Sequence, residues 1–281
     1  MSQTTESRDT TSGGPAYPWA ESLFPERLKS PWWIGHIPFA FELIGRLRPA
    51  VIVELGTYSG SSFAAFCQAA LAAESPTHCY GIDLWEGDIH MGRFDEELFR
   101  EVETYFRTRY PGRATLIRKD FNAAVHDFDD KSIDLLHIDG THTFEAVSND
   151  FHTWRPKLSD RSVVLFHDIN VTEQNAGPAA RHFGVRQFFD GVKHEFPHFE
   201  FEHCYGLGVL VTGPDVPASV SDLVRDAGAS AFPQYFATKG AAVSKAFEDM
   251  NVPLPVHDPY AGPIWQQAVR RARNFLRRAF K

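Results

Sequence analysis

The sequence predicts an α/β protein in which helices cover both faces of a mostly parallel sheet. Between residues 51 and 166, five short apolar segments alternate with longer amphipathic segments. This alternation of strand and helix is typical of parallel sheets. Two more apolar segments, 199–203 and 208–212, are separated by only four residues. So short a connection predicts a hairpin, and therefore an antiparallel strand at the end of the sheet.

Each predicted element has its own sequence signal. The five apolar segments have the length of strands buried on both faces: 51–55, 78–82, 114–118, 133–138 and 162–166. Segment 39–47 has helical spacing and ends before Pro49, and segments 61–73 and 95–110 are long enough to be crossover helices.

Composition excludes several classes of protein. The chain has 281 residues, 43% hydrophobic and 23% charged, as in globular proteins with one large or two small domains. No apolar stretch approaches the roughly 18 residues of a membrane-spanning helix, and the polar N-terminus lacks the features of a secretory signal. The three cysteines form no C-x-x-C pair. These features predict a protein of the reducing cytoplasm.

Local composition divides the chain into four segments. Residues 1–17 are rich in Ser, Thr and Gly and are expected to be a disordered leader. Residues 18–213 are expected to form the α/β domain. Residues 214–263 are rich in Pro, Ala and Gly, which predicts an irregular C-terminal extension. Residues 264–281 have apolar side chains at helical spacing and predict a basic amphipathic helix.

This C-terminal segment differs in charge from the rest of the chain. It contains six basic residues and no acidic one, whereas the whole chain has a net charge of −8. The acidic body argues against nucleic acid as a partner. Trp265 and Phe275 opposite the arginines are typical of a helix at a membrane interface, here the inner membrane surface. Packing of the helix on the acidic body is an equal alternative.

The first predicted strand is followed by a glycine-containing turn, Glu54-Leu-Gly-Thr-Tyr-Ser-Gly60, and then by a predicted helix. Such a turn lets a ligand approach the backbone, and the amides at the start of the helix can hold an anionic group. Tyr58 stands where the G-x-G-x-x-G pattern of dinucleotide enzymes has its second glycine. A nicotinamide-dependent oxidoreductase is therefore disfavoured.

Acidic residues follow the next two predicted strands. Asp83 is placed to accept hydrogen bonds from two ribose hydroxyls, and its alternative role is that of a helix cap or loop carboxylate. Asp120 could accept a hydrogen bond from an adenine amino group while Phe121 packs on the ring. A purely structural role for these two residues is equally open.

The densest polar cluster follows the fourth and fifth strands and contains Asp139, His142, His167 and Asp168. Because ligands of open α/β sheets bind outside the carboxyl ends of the strands, we expect these side chains to lie on the same edge as Gly56. Histidine and carboxylate together suit a general base or a metal site. The alternative for each histidine is a capped or core residue.

Taken together, these motifs resemble class I S-adenosylmethionine-dependent methyltransferases, and most closely the family of macrocin-type O-methyltransferases and methyltransferases of surface-glycan gene clusters. The resemblance covers about residues 33–213 and is carried by 53–63, 82–94, 133–151, 157–170 and 199–211. It implies a Rossmann-like, doubly wound seven-stranded sheet with an antiparallel last strand. The residues implied to contact S-adenosylmethionine are Glu54, Gly56, Thr57, Tyr58, Gly60, Ser61, Asp83, Asp120, Phe121 and Asp139.

The same resemblance implies that the Asp139, His142, His167 and Asp168 cluster is catalytic, with His142 or Asp139 taking the proton of an acceptor hydroxyl. Metal-dependent relatives hold Mg²⁺ with an Asp after the fourth strand and an Asp-Asp or Asp-Asn pair after the fifth. Asp139 and Asp168 match two of these metal ligands, but Ile169 occupies the third position and cannot bind a metal. The histidines are therefore favoured over Mg²⁺ as the source of the base.

The implied reaction is transfer of a methyl group to a hydroxyl of a sugar or glycan-like acceptor. His90 lies in the loop that covers the acceptor in such folds and is expected to contact it. A small-molecule O-methyltransferase of natural-product biosynthesis is one alternative. A non-catalytic accessory protein that binds the cofactor or docks on a membrane is another. The sequence is also compatible with a homo-oligomer.

Overall fold

The computed structural model describes residues 17–88 and 92–250. The main sheet has seven strands: β1 (Val51–Leu55), β2 (His78–Asp83), β3 (Ala114–Arg118), β4 (Ile133–Ile138), β5 (Leu158–His167), β6 (His198–Phe201) and β7 (Leu207–Val211). Their order across the sheet is β3-β2-β1-β4-β5-β7-β6. Only β7 runs against its neighbours β5 and β6. The predicted seven-stranded sheet with an antiparallel last strand is therefore confirmed.

Ten α-helices lie within the described residues: α1 (Pro18–Ser22), α2 (Ile37–Leu47), α3 (Ser61–Ala72), α4 (Glu96–Arg109), α5 (Phe121–Ala124), α6 (Phe144–Trp154), α7 (Glu173–Ala176), α8 (Val185–Val192), α9 (Ala218–Ala227) and α10 (Ala231–Asp249). Short 3₁₀ turns occur at Ile34–His36, Val125–Asp127, Arg155–Lys157, Gly177–His182 and Lys193–Glu195. Two-residue strands at Gly87–Asp88 and Gly92–Arg93 pair with each other outside the main sheet.

Each face of the sheet is covered by an apolar cluster, because successive strand side chains point to opposite faces. Ile52 and Leu135 pack in a cluster that includes residues of α2, α3 and α10. Val53 and Leu136 pack in a second cluster with residues of α6 and α8. Burial of both faces explains why the central strands are mostly apolar and do not alternate between apolar and polar residues.

The prediction of an irregular extension after residue 213 is wrong for residues 214–250, which contain α9 and α10. Phe232, Phe236 and Val243 of α10 are buried against the core. These apolar residues recur at intervals of four and seven residues, which is the spacing of one helix face. The many intervening Ala and Gly residues obscured that spacing.

Some predictions concern residues outside the described ranges. They are the leader up to residue 16, the extension from 251 to 263, the basic helix at 264–281, and His90. No helix in residues 17–88 and 92–250 has the length and apolarity needed to cross a membrane.

Candidate functional site

A cavity of about 290 Å³ opens at the carboxyl ends of the strands. It lies where the strand order reverses, between β1 and β4, which is the usual ligand site of open α/β sheets. Seventeen residues line it: Gly56, Tyr58, Asp83, Leu84, Gly87, Phe94, Lys119, Asp120, Phe121, Asn122, Asp139, Gly140, Thr141, His142, Ala146, Asn149 and Asp150.

The glycine-containing turn after β1 forms one wall of this cavity. Gly56 has a φ of +93°, and a Cβ atom there would lie 2.0 Å from the carbonyl oxygen of Asp139. The position therefore requires glycine for its backbone conformation and for the close approach of the loop after β4. The amide of Gly56 donates to Ile82 and the amide of Asp139 donates to Leu55, each at 2.9 Å. The loops after β1, β2 and β4 are thus held together.

Asp83, at the end of β2, faces the same wall. One carboxylate oxygen accepts the amide of Tyr58 at 2.8 Å, and the other accepts the amide of Trp85 at 2.7 Å. A carboxylate oxygen can accept more than one hydrogen bond. The fixed carboxylate can therefore also accept hydrogen bonds from the hydroxyls of a ligand.

The wall of the cavity also includes Asp120 and Phe121. Asp120 caps α5 by accepting the amide of Asn122 at 2.9 Å. Phe121 lies against the loop after β4, since a Cβ on Gly140 would be 2.6 Å from its ring. Asp120 therefore caps a helix and also lines the cavity, so a structural role and contact with a ligand are both compatible with its position.

Asp139, His142, His167 and Asp168 come together as predicted. His142 Nε2 lies 3.0 Å from Asp168 Oδ2 and 3.4 Å from Asp139 Oδ1. His167 Nδ1 lies 3.0 Å from Asp139 Oδ1, and its Nε2 lies 3.1 Å from the carbonyl oxygen of Cys204. Both ring nitrogens of His167 thus face acceptors, so both carry a proton and the ring is an imidazolium.

The electrostatics of this cluster agree with that protonation state. Burial alone would lower the pKa of His142, but the Asp168 and Asp139 carboxylates raise it to about 10. Burial acts in the same way on His167, and the same two carboxylates raise its pKa to about 9. Burial would raise the pKa of Asp139, yet His167 and His142 hold it well below its ordinary value. Near neutrality the cluster therefore has two positive and two negative charges.

Asp168 reaches the cluster through an unusual backbone conformation. Its φ of +64° is left-handed, which is uncommon for a residue with a side chain. Its amide donates to the carbonyl oxygen of Gly206 at 3.1 Å, in the hairpin between β6 and β7. The hairpin thereby holds Asp168 in the orientation that meets His142.

A divalent cation could be held by Asp139, His142 and Asp168, whose ligand atoms lie within 4.8 Å of one another. Two carboxylates and an imidazole are an acceptable ligand set. Ile169 is buried in the core, and the side-chain amide of Asn170 donates to the carbonyl of Glu202, so neither supplies a further ligand here. The set fits a cation only if His142 gives up the proton that it now shares with the carboxylates.

Four predicted contact residues do not line the cavity in the described structure: Glu54, Thr57, Gly60 and Ser61. Glu54 is fully buried, and its pKa is raised by burial. It accepts a hydrogen bond from His137 Nδ1 at 3.0 Å, while Trp33 Nε1 donates to His137 Nε2 at 3.0 Å. These buried hydrogen bonds join β1 and β4 within the core. Ligand contacts at the four residues stay predictions.

Sequence reasoning missed Asp150, which lies on α6 and lines the cavity. A signal was present in the helix, because Asp150 follows Ala146 by four residues and both face the cavity. It also missed His137 and Trp33 as partners of Glu54. That contact joins residues far apart in the chain, and no local pattern predicts it.

Residues 53–169 match the model of a family described as "Methyltransferase domain". This part of the chain is therefore similar to methyltransferase domains. The match begins in β1 and ends just after β5, so it includes the glycine turn, Asp83 and the whole catalytic cluster predicted from the sequence. The general methyltransferase part of the predicted resemblance is thus confirmed, whereas the narrower macrocin-type family stays a prediction.

The chain is also similar to other proteins of known sequence or structure. The uncharacterized protein y4gI of Sinorhizobium fredii (strain NBRC 101917 / NGR234) is 41% identical over 193 residues, which are 69% of this chain and 20% of that protein. The chain therefore matches about one fifth of the length of this relative.

Two solved structures are similar. The SAH-bound methyltransferase PaMTH1 of Podospora anserina is 14% identical, with a TM-score of 0.50 over 69% of this chain and 84% of the other. The O-methyltransferase TomG of Streptomyces achromogenes is 17% identical, with a TM-score of 0.46 over 69% and 94%. The similarity to PaMTH1 shows a shared fold.

Proposed function

We propose that the protein transfers a methyl group from S-adenosylmethionine to a hydroxyl oxygen. The observation that supports this most is that one cavity is lined both by Asp83 and by Asp139 and His142. The first can hold a ribose, and the other two can act on an acceptor. The methyltransferase domain and the fold shared with an SAH-bound enzyme agree with this activity.

The residues that line the cavity fit the parts of this cofactor. Gly56 allows close approach of the ligand to the backbone, Asp83 accepts from the ribose hydroxyls, and Asp120 and Phe121 receive the adenine. When bound, the cofactor supplies an electrophilic methyl group on a sulfonium. The protein's part is to hold the acceptor oxygen about 3 Å from that carbon and to take up the hydroxyl proton.

We assign the uptake of that proton near neutrality to Asp139. His142 Nε2 faces two carboxylate oxygens and is already protonated. The hydroxyl proton becomes far more acidic as the new carbon–oxygen bond forms, so a carboxylate that faces the cavity can accept it. If Asp139 acts, turnover at saturating cofactor is level between pH 6 and 8.5. If neutral His142 acts instead, turnover rises about tenfold per pH unit toward its pKa of about 10.

The acceptor that we propose is a hydroxyl of a sugar or glycan-like molecule, and this rests on the sequence resemblance. A natural-product phenol or alcohol is the second candidate.

Residues 264–281 are proposed to bring the enzyme to an anionic membrane, where lipid-linked glycans occur. Co-sedimentation with anionic vesicles at low salt tests this: full-length protein should bind, and a chain ending at Gly262 should not. Equal recovery of the two chains contradicts the membrane role.

The decisive experiment follows transfer of a labelled methyl group from S-adenosylmethionine to a panel of glycan fractions and phenolic small molecules. Label in a glycan fraction supports the whole proposal, and label only in phenols supports the alternative acceptor. Binding of the cofactor without transfer to any acceptor supports a non-catalytic accessory protein. The same assay with EDTA tests the metal: retained activity supports the charge-balanced histidine cluster, and loss restored by Mg²⁺ contradicts it.

A further inference from the structure

Asp150 is a buried carboxyl group at the end of the cavity that contains Phe121. Its residue is only 5% exposed, yet it lines the cavity wall. Oδ2 of Asp150 lies 3.6 Å from the point that a Cβ of Gly140 would occupy, and Phe121 lies against the same glycine. The ring of Phe121, the backbone of Gly140 and the buried carboxyl group of Asp150 therefore lie next to one another.

The surroundings of Asp150 favour its neutral form. It forms no ion pair with any residue among 17–88 and 92–250. Burial, followed by the charge of Asp120, raises its pKa to about 7, while a hydrogen bond from Asn149 acts in the opposite direction. Asn149 is itself hydrogen-bonded to Asn122 at 2.9 Å.

Apart from Asp120, the charged groups near α6 form their contacts away from Asp150. Asp120, at the start of α5, is the charged side chain that acts on Asp150. Arg155 and Arg186, from the 3₁₀ turn and α8 that pack on α6, each pair with a glutamate. Asp134 of β4 accepts the backbone amide of Ala50, just before β1. The other titratable groups of α6 lie two and five residues away, on other faces of the helix: His152 and Glu145.

A protonated Asp150 carboxyl group can donate a hydrogen bond, and the Asp120 carboxylate can accept one. The edge of adenine that carries the amino group offers the complementary pair, an N–H donor beside a ring nitrogen that accepts. Exposed Asp120 is placed to accept from the amino group. Phe121 provides a ring on which the base can stack.

Resting on the proposed function, we propose that Asp150 enters this contact as a neutral acid and donates a hydrogen bond to a ring nitrogen of the adenine. Cofactor binding then requires a proton on Asp150. Its affinity is full at acidic pH and decreases once that proton is lost. The donor–acceptor match also disfavours bases such as hypoxanthine, which has a carbonyl acceptor where adenine has its amino donor.

Calorimetry with S-adenosylhomocysteine between pH 6 and 8 tests this, using the wild type and the Asp150→Asn, Asp150→Leu and control Asp129→Asn variants. The wild type and the exposed-site control should lose about tenfold in affinity from pH 6 to pH 8. Asp150→Asn, which keeps a donor at every pH, should bind at a constant level near the wild-type value at pH 6. Asp150→Leu should bind at least tenfold more weakly at pH 6.

A wild-type affinity that does not change with pH, or an Asp150→Asn variant with the wild-type slope, overturns the inference and leaves the proposed function intact. Absence of binding at every pH overturns both.

Cofactor analogues provide a second experiment, which uses only the wild-type protein and so does not depend on folding of the variants. The 1-deaza and 7-deaza forms of S-adenosylhomocysteine each lack one ring nitrogen. The pH dependence of wild-type binding should disappear for one of them, and its persistence for both overturns the inference.

Discussion

Asp83 shows how one carboxylate can be both a structural and a binding group. Its two oxygens hold the backbone amides of Tyr58 and Trp85, which fixes its direction toward the cavity. Hydrogen bonds to charged groups contribute roughly 1.5–3 kcal/mol each. We therefore expect Asp83→Ala to weaken S-adenosylhomocysteine binding by about 10²-fold or more, measured by calorimetry.

The control for this prediction is Asp129→Ala, because Asp129 is exposed and does not line the cavity. Thermal unfolding of both variants checks that the turn after β1 still folds. A folded Asp83→Ala protein with wild-type affinity would remove Asp83 from the site.

His142 acts in our proposal as the cation that keeps Asp139 ionised and in place. Replacement of His142 by Gln removes the charge but leaves a polar side chain of similar size. We expect turnover at saturating cofactor to decrease by about 10²-fold, with affinity for S-adenosylhomocysteine changed by no more than a few-fold. His126→Gln, at an exposed position, should leave both quantities unchanged. Equal turnover of the two variants would exclude a catalytic role for His142.

At the scale of elements, α10 packs directly on the 3₁₀ turn Ile34–His36 that precedes α2. A Cβ on Gly240 would lie 2.0 Å from the carbonyl oxygen of Gly35, in the 3₁₀ turn before α2. Gly240→Ala is therefore expected to destabilise the protein by about 1–3 kcal/mol, because the helix must move away from that turn. The free energy of unfolding in urea measures the effect.

Gly191→Ala is the matched control for that prediction. Gly191 also lies in a helix, α8, but a Cβ there would meet nothing within 4 Å. Alanine favours a helix over glycine by about 1 kcal/mol, so this variant should be as stable as the wild type or more stable. Similar destabilisation of both variants would show that close packing of α10 is not the cause.

The elements also show what the sequence could predict. The central strands of the sheet are buried on both faces, and apolar runs such as residues 163–166 mark them plainly. The glycine turn and the residues at strand ends follow from the same topology, which is why Asp83, Asp139 and His142 were placed on one edge. Helix α10 was not predicted because Ala and Gly residues stand between its buried residues in the sequence. Asp150 was not predicted because its role depends on the residues that pack around α6.

At the scale of the whole molecule, four largely enclosed histidines fall into two pairs with opposite effects on stability. Desolvation lowers the pKa of His203 to about 4 and that of His36 well below its ordinary value. Carboxylates raise the pKa values of His142 and His167. No local sequence pattern separates the two kinds of histidine, since the difference lies in which long-range partners reach each ring.

The signs of these shifts predict a stability maximum for the histidine contribution near pH 6.5. Below that pH, His203 and His36 bind protons in the unfolded chain but stay neutral in the folded protein. Stability is therefore lost as the pH falls toward 4. Above it, the folded state keeps protons on His142 and His167 that the unfolded chain releases. Stability is then lost as the pH rises through the range up to about 9–10.

His203 provides the test, because its Nε2 donates to the carbonyl oxygen of Gly35 at 3.1 Å and Gln can replace that donor. Between pH 6.5 and 4, the unfolding free energy of the wild type should fall more steeply than that of His203→Gln, by up to about 1.4 kcal/mol per pH unit. This slope corresponds to one proton taken up on unfolding. His126→Gln should keep the wild-type slope, because that histidine is exposed in both states. If the unfolding free energies of the wild type and His203→Gln have the same pH dependence across this range, His203 is not held neutral by burial, and the loss of stability in acid must come from His36 or from the carboxylates.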